Sequence, residues 1–106
     1  MAGYTASKWG LRGMSKAAAQ ELGQYGIRVN CVHPGGIITD MSRAARESLA
    51  AARGPDYGGP AWAIPRFPEL HEVSNLCLYF ITDEATFTTG ADVPADGGAT
   101  IGPRFL

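Results

Sequence analysis

Tyr4 and Lys8 stand four residues apart in the run Tyr4-Thr5-Ala6-Ser7-Lys8. On a helix, residues i and i+4 share a face, so a phenol and an ammonium at this spacing can point into the same space. A phenol ordinarily titrates near pH 10, too high for acid–base work at neutrality. An ammonium beside it favours the phenolate. At roughly 4 Å and an effective dielectric of about 20, the attraction is on the order of 4 kcal/mol, enough to bring a phenol's titration down by up to about three units. Such a pair can give a proton to a substrate oxygen or take one from it. By itself the spacing has little specificity, since Tyr and Lys four apart occur in many ordinary surface helices.

The elements that must carry the pair follow from periodicity. Leu11, Met14, Ala18 and Leu22 recur at spacings of three and four, which predicts a helix from Ala2 or Tyr4 to Gln24. Gly26 supplies a left-handed stop. Ile27, Val29 and Cys31, with Val32, predict a short strand that ends at Pro34, and Gly35-Gly36 gives a turn after it. A second helix is predicted from Met41 to about Arg53, stopped by Gly54-Pro55. From Gly54 to Pro68 the chain alternates Gly-Pro punctuation with Tyr57, Trp62 and Phe67; long loops of this kind are functional or disordered, and aromatics argue against disorder. Val73, Leu76, Cys77, Phe80 and Ile81 predict the buried face of a third helix that starts near Pro68 to Leu70. A second strand is expected at about Asp92 to Ala95, with Pro94 marking an edge or a strand end.

If the two strands run parallel, the third helix is their crossover, right-handed by the general rule. Two short parallel strands make a poor sheet alone, because parallel sheets are normally covered on both faces by helices. The expected fold class is therefore α/β: the C-terminal half of a doubly wound, Rossmann-type parallel sheet, incomplete as a stand-alone domain.

Composition narrows the function classes. The 106 residues leave room for one small domain, and 45% hydrophobic with 18% charged residues is ordinary globular content. A net charge of −1 offers no electrostatic footprint for nucleic acid or an anionic membrane. No apolar run approaches the length that spans a bilayer, and no signal-peptide pattern opens the chain, so neither a nucleic-acid nor a membrane partner is expected. Cys31 and Cys77 lie on strand and helix patterns and are expected to fill core; His33 and His71 lack ligand spacing, so no metal is expected. A reducing cytoplasm is the expected location. Gly10 and Gly13, inside a helical pattern, are read as close-packing positions, Trp9 as a packing residue, Arg66 with Glu72 as a structural ion pair, and Asp96-Gly97-Gly98 as a turn.

Several motifs in order carry a resemblance. Tyr4-Thr5-Ala6-Ser7-Lys8 and its helix, the strand Ile27-Arg28-Val29-Asn30-Cys31-Val32, and the Pro34-Gly35 turn with Thr39 beyond it resemble the short-chain dehydrogenase/reductase family. So do Thr82-Asp83-Glu84-Ala85, Thr89-Gly90-Ala91 and Asp96-Gly97-Gly98. Tyr4 to Gly10, Val32-His33-Pro34-Gly35 and the tail from Asp96 to Pro103 look most like its 3α(20β)-hydroxysteroid dehydrogenases.

The resemblance implies an NAD(P)-dependent oxidoreductase acting on a small apolar secondary alcohol or ketone, a hydroxysteroid among the candidates. It implies that Tyr4 and Lys8 are the catalytic pair, with Tyr4 exchanging the proton and Lys8 holding the nicotinamide ribose. The main chain near Ile37 would bond the nicotinamide carboxamide, Pro34-Gly35 would shape that wall, and Thr39 would reach toward cofactor phosphate. Residues 40–67 would form the substrate loop, or a surface excursion that only connects helices. The complete enzyme would be a symmetric homo-oligomer, and residues 1–106 the C-terminal part of one short-chain dehydrogenase domain.

The family's glycine-rich pyrophosphate turn, which belongs on a first strand–helix junction, is expected upstream of Met1, as is its catalytic serine. Met1 is then an internal methionine of a longer ancestor or the start of a truncated product. NAD versus NADP preference would be set in that upstream part. The alternative to an enzyme is a truncated, non-catalytic remnant or a helix-mediated assembly module that pairs with a full-length homologue. Residues 1–106 alone are expected to show no measurable affinity for NADH or NADPH. Titration of either nucleotide, followed by tryptophan fluorescence, checks this, and tight saturable binding would overturn it.

Overall fold

The computed structural model describes residues 1–53 and 61–102. Along them run α1 (Ala2–Leu22) with a 3-10 turn at Gly23–Tyr25, β1 (Cys31–Pro34), α2 (Asp40–Arg53), α3 (Leu70–Ile81), a 3-10 turn at Asp83–Ala85, and β2 (Asp92–Ala95). Of the loop read from the sequence, Gly54-Pro55, Tyr57 and Gly59-Pro60 lie outside the described residues, as does Pro103 of the tail. β1 and β2 form a two-stranded sheet. Cys31 N donates to Ala91 O at 2.8 Å and Gly35 N to Ala95 O at 3.1 Å, so both chains advance together and the pairing is parallel. Close contacts gather the chain into two compact units, Met1–His33 with Leu76–Val93, and Pro34–Asn75 with Pro94–Leu106.

In the first unit, α1 covers only the C-terminal half of its expected apolar stripe. Ala18 and Leu22 are half-buried as the stripe predicts, beside Arg12, Ser15 and the buried Ala19, while Met14 remains 69% exposed and Leu11 is also open. Small side chains shape the contact. Ala19 lets the helix approach so closely that a Cβ on Gly90 would lie 3.7 Å from Ala19 Cβ. Polar groups then fasten it, with Arg12 Nε donating to Asp92 Oδ2 and Lys16 Nζ donating to Gly90 O at 3.2 Å. Gly10 and Gly13 face open space, so close packing is not their role among the described residues.

The expected stop at Gly26 is present, with φ of 74°. β1 begins later than the apolar pattern indicates, and Asn30 is the reason. Its amide donates to Thr88 O at 2.9 Å and accepts from Ala91 N at 3.0 Å, taking up groups a longer ladder would have used. Arg28 closes the far end of α3, donating to Phe80 O at 2.6 Å and to Thr82 O at 3.1 Å. Phe80 O is a terminal carbonyl of the helix, Thr82 O lies just past its end and also accepts from Ala85 N at 3.3 Å, and a cation there suits the helix dipole.

The apolar face of α3 is partly covered. Val73 is buried and Leu76 and Phe80 are half-buried, but Cys77 is exposed and Ile81 is 78% exposed. Cys31 is half-buried, and both cysteines are free thiols. No described helix is long and apolar enough to cross a membrane.

The second unit is organised around Asp96. This buried carboxylate accepts from Gly98 N at 2.9 Å, Thr100 N at 3.0 Å and Thr100 Oγ1 at 2.7 Å, closing the expected turn with Gly97 and Gly98 at φ of 63° and 84°. Ile64 N donates to Gly97 O at 2.9 Å, and Trp62 meets Phe67 edge to face at 5.3 Å. A Cβ on Gly98 would stand 2.7 Å from Ala63 Cβ, and its φ disfavours any L side chain. Gly98→Ala is therefore expected to destabilise the chain by about 1–3 kcal/mol. Urea unfolding of the two chains checks this; coincident midpoints would contradict the packing described.

Candidate active site

Tyr4 and Lys8 lie in the first two turns of α1, where Thr5 N donates to Met1 O at 3.0 Å; the strong helix formers lie further along, in the Ala-, Lys-, Gln- and Glu-rich stretch up to Leu22. The structure brings the two side chains together: Lys8 Nζ lies over the Tyr4 ring, 5.5 Å from its centroid. The ammonium thus meets the face of the ring, a cation–π arrangement. Tyr4 is 63% exposed, and among the described residues neither side chain donates a hydrogen bond to the protein. One turn further on, the Arg12 guanidinium stacks 4.8 Å from the Trp9 ring while its Nε bonds Asp92. Trp9 packs on that cation and is otherwise exposed, not a core residue of this chain.

The other residues read from the sequence, Pro34, Gly35, Ile37 and Thr39, belong to the second unit. Gly35 is required by crowding: a Cβ there would stand 2.9 Å from Asp96 Cα. Pro34 ends β1 with its side exposed. Thr39 caps α2, its Oγ1 accepting from Ser42 N at 3.2 Å and its carbonyl from Arg43 N at 2.9 Å. The Ser42 hydroxyl donates to Ile37 O at 2.9 Å and accepts from Thr39 N at 2.8 Å. The 37–42 segment is therefore a self-bonded turn, and Ser42 is the residue holding its shape. The sequence reading missed Ser42, although Thr followed three residues later by a short hydroxyl is a recognisable capping pattern.

A cavity of about 440 Å³ opens in the same unit, lined by Trp62, Ile64, Val73 and Ile101 with Arg66 and Asp96 among its polar groups. It draws on the end of the 40–67 segment and on none of Pro34, Gly35, Ile37 and Thr39. At its rim the expected ion pair is present and bidentate. Arg66 Nη1 and Nη2 each donate to a Glu72 oxygen at 2.7 Å, and Glu69 N adds a bond at 2.8 Å.

A cluster the sequence reading did not anticipate lies in the first unit. His33 was expected to stand alone. Instead its Nε2 donates to Asp92 Oδ1, Arg12 holds Asp92 Oδ2, Lys16 Nζ is 3.6 Å from Oδ2, and Cys31 lies alongside. The His33 bond, acting against burial and helped by Arg12, holds the Asp92 carboxyl down to about 2. The available signal was Cys31-x-His33 in a strand, which puts two metal-capable side chains on one face.

Residues 1–100 match the family described as Enoyl-(Acyl carrier protein) reductase. The chain belongs to the short-chain dehydrogenase/reductase family. It is 39% identical over 101 residues to trans-4-hydroxycyclohexanecarboxylate dehydrogenase of Sinomonas cyclohexanicum, covering 95% of this chain and 35% of that one. To a 3-alpha-(or 20-beta)-hydroxysteroid dehydrogenase of Mycobacterium bovis it is 41% identical over 100 residues, again 35% of the relative's length against 94% of its own.

Among solved structures, a 4-hydroxyisoleucine dehydrogenase complexed with NADH matches with a TM-score of 0.74 at 32% identity, covering 95% of this chain and 39% of that one. A blue fluorescent protein from a metagenomic library, in complex with NADPH, matches at 0.73 and 31% identity, over 92% and 37%. The α/β architecture is thus part of a short-chain dehydrogenase Rossmann fold, and this chain spans little more than a third of such proteins. The family is one of oxidoreductases whose neighbours bind NADH or NADPH.

The Glu72 carboxyl, held at about 2 by the Arg66 hydrogen bonds and then by Glu69 N, sits below its usual 4.5. A depressed carboxyl stabilises the fold above its unfolded titration range and ceases to do so as pH falls through about 2. Arg66→Met is expected to move the Glu72 midpoint up toward 4.5. Side-chain carboxyl NMR across an acid titration measures it, and an unmoved midpoint would place the cause elsewhere.

Proposed function

We propose that this chain carries the proton-transfer part of an NAD(P)-dependent oxidoreductase acting on an apolar secondary alcohol or ketone. The observation that carries the reading is the Tyr4–Lys8 pair, exposed side by side on one helix with Lys8 Nζ over the Tyr4 ring and both donors open. A phenol and an ammonium so placed fit a substrate oxygen and a ribose diol, respectively. When bound, a nicotinamide supplies or accepts the hydride.

The chain's own residues do the rest. Tyr4 Oη gives its proton to the carbonyl oxygen in reduction and takes the hydroxyl proton in oxidation. Lys8 Nζ would hold the ribose hydroxyls and sets a positive charge beside the phenol as charge develops. Pro34 and Gly35 would wall the nicotinamide, the main chain at Ile37 would bond its carboxamide, and Thr39 at the head of α2 would serve the phosphate. Ser42 keeps those last two groups in place through its bonds to Ile37 O and Thr39 N.

The 40–67 segment covers substrate, and the Trp62 and Ile64 cavity supports an apolar one. A cyclic secondary alcohol is the favoured class, in keeping with the names of the relatives, and a hydroxysteroid is one member. The complete enzyme would be a homo-oligomer.

One observation favours a second reading. Leu11 and Met14 on α1 are exposed at 55% and 69%, an apolar surface suited to pairing with a full-length homologue as a non-catalytic assembly module. Tyr4→Phe in the full-length protein separates the two, since an assembly module has no turnover to lose. The expected result is a fall in kcat of about 10²- to 10⁴-fold with cofactor affinity unchanged within about twofold. Turnover that survives the substitution would remove Tyr4 from proton transfer.

A further inference from the structure

Three side chains with three different donor atoms converge on the covered face of the sheet in the first unit. Cys31 and His33 are two apart in β1 and so project to the same side. The bond from Cys31 N to Ala91 O sets the register that brings Asp92 of β2 beside them. One ligand atom from each, a thiol sulfur, an imidazole nitrogen and a carboxylate oxygen, lies within 4.8 Å of the other two. All three residues are half-buried, and the Asp92 side chain is only 11% exposed.

We propose that Cys31, His33 and Asp92 form a binding site for a divalent first-row transition metal, with zinc as the best match. Sulfur, nitrogen and oxygen together suit a borderline-soft ion and are a poor set for magnesium or calcium, which take oxygen ligands. Three protein ligands leave a fourth tetrahedral position for water.

The carboxylate is already oriented for the task. Arg12 Nε holds Oδ2, which leaves Oδ1 to His33, and metal ligands are commonly fixed through such outer bonds. The ion would take the place of the proton now shared by His33 Nε2 and Asp92 Oδ1. Arg12 and Lys16 set two positive charges against it, so binding is weaker than at a closed structural site. The proposal is independent of the oxidoreductase reading, because none of the three ligands has a part in the proton transfer assigned to Tyr4 and Lys8.

The full 106-residue chain, reduced and freed of metal, is titrated with Co(II) as a spectroscopic probe and then with Zn(II) as competitor. The expected result is one equivalent of Co(II) giving a thiolate-to-metal charge-transfer band that Zn(II) bleaches. The band should vanish in Cys31→Ser, need at least tenfold more Co(II) in His33→Gln, and be unchanged in Cys77→Ser.

A second measurement needs no variant. Zn(II) should slow alkylation of Cys31 by at least tenfold while exposed Cys77 reacts at its original rate, read by peptide mass spectrometry. No charge-transfer band, a band that survives Cys31→Ser or is lost in Cys77→Ser, or a Cys31 alkylation rate unchanged by Zn(II) would overturn the proposal.

Discussion

The direction in which α1 faces is set by a single carboxylate. Asp92 enters from β2 and is met by Arg12 from the helix and His33 from β1, with Lys16 a turn beyond. Tyr4, Lys8 and Arg12 step by four along α1, so fixing Arg12 fixes the side on which the phenol and the ammonium emerge. A surface ion pair is commonly worth little. This one differs because Asp92 is largely covered and bonded through both oxygens, and a partly desolvated carboxylate stripped of its partners is costly. The placement of the Tyr4–Lys8 pair therefore depends on residues outside the pair.

That dependence marks the limit of what periodicity could reveal. The existence and order of the elements were legible, because Gly26, Pro34, Gly54 and the apolar repeats punctuate the chain clearly. The inner face of α1 was legible only in its second half, at Ala18 and Leu22. A hydrophobic stripe is a good guide when apolar side chains supply the adhesion, but here Ala19 and Ser15 allow approach and Arg12 and Lys16 do the fastening. The same limit hid the Cys31–His33–Asp92 cluster. His33 and Asp92 are 59 residues apart, and only the parallel register makes them neighbours. The Arg66–Glu72 pair, six residues apart at a helix entrance, was readable for the opposite reason.

The spacing of Tyr4 and Lys8 predicts a shared helix face, and Lys8 Nζ does lie over the Tyr4 ring, whereas a role for the pair came from the family resemblance and not from the spacing. The 37–42 turn shows a subtler case. The family resemblance gave Thr39 as a group reaching toward cofactor phosphate, and its position follows from capping α2, with Ser42 drawing Ile37 and Thr39 into one knot. A residue can thus be suited to a ligand while its placement is decided by the backbone groups it must satisfy first.

Asn30 carries a consequence for how the two strands find each other. Its primary amide has a sense of direction, giving a hydrogen from one end to Thr88 and receiving one at the other from Ala91. A neighbour displaced by one position would offer mismatched groups to both ends. Such a slip would also send the side chain of residue 92 through to the opposite surface, leaving Arg12 and His33 without their shared anion. A single amide at the mouth of the sheet thus acts as an alignment key for the ladder that follows.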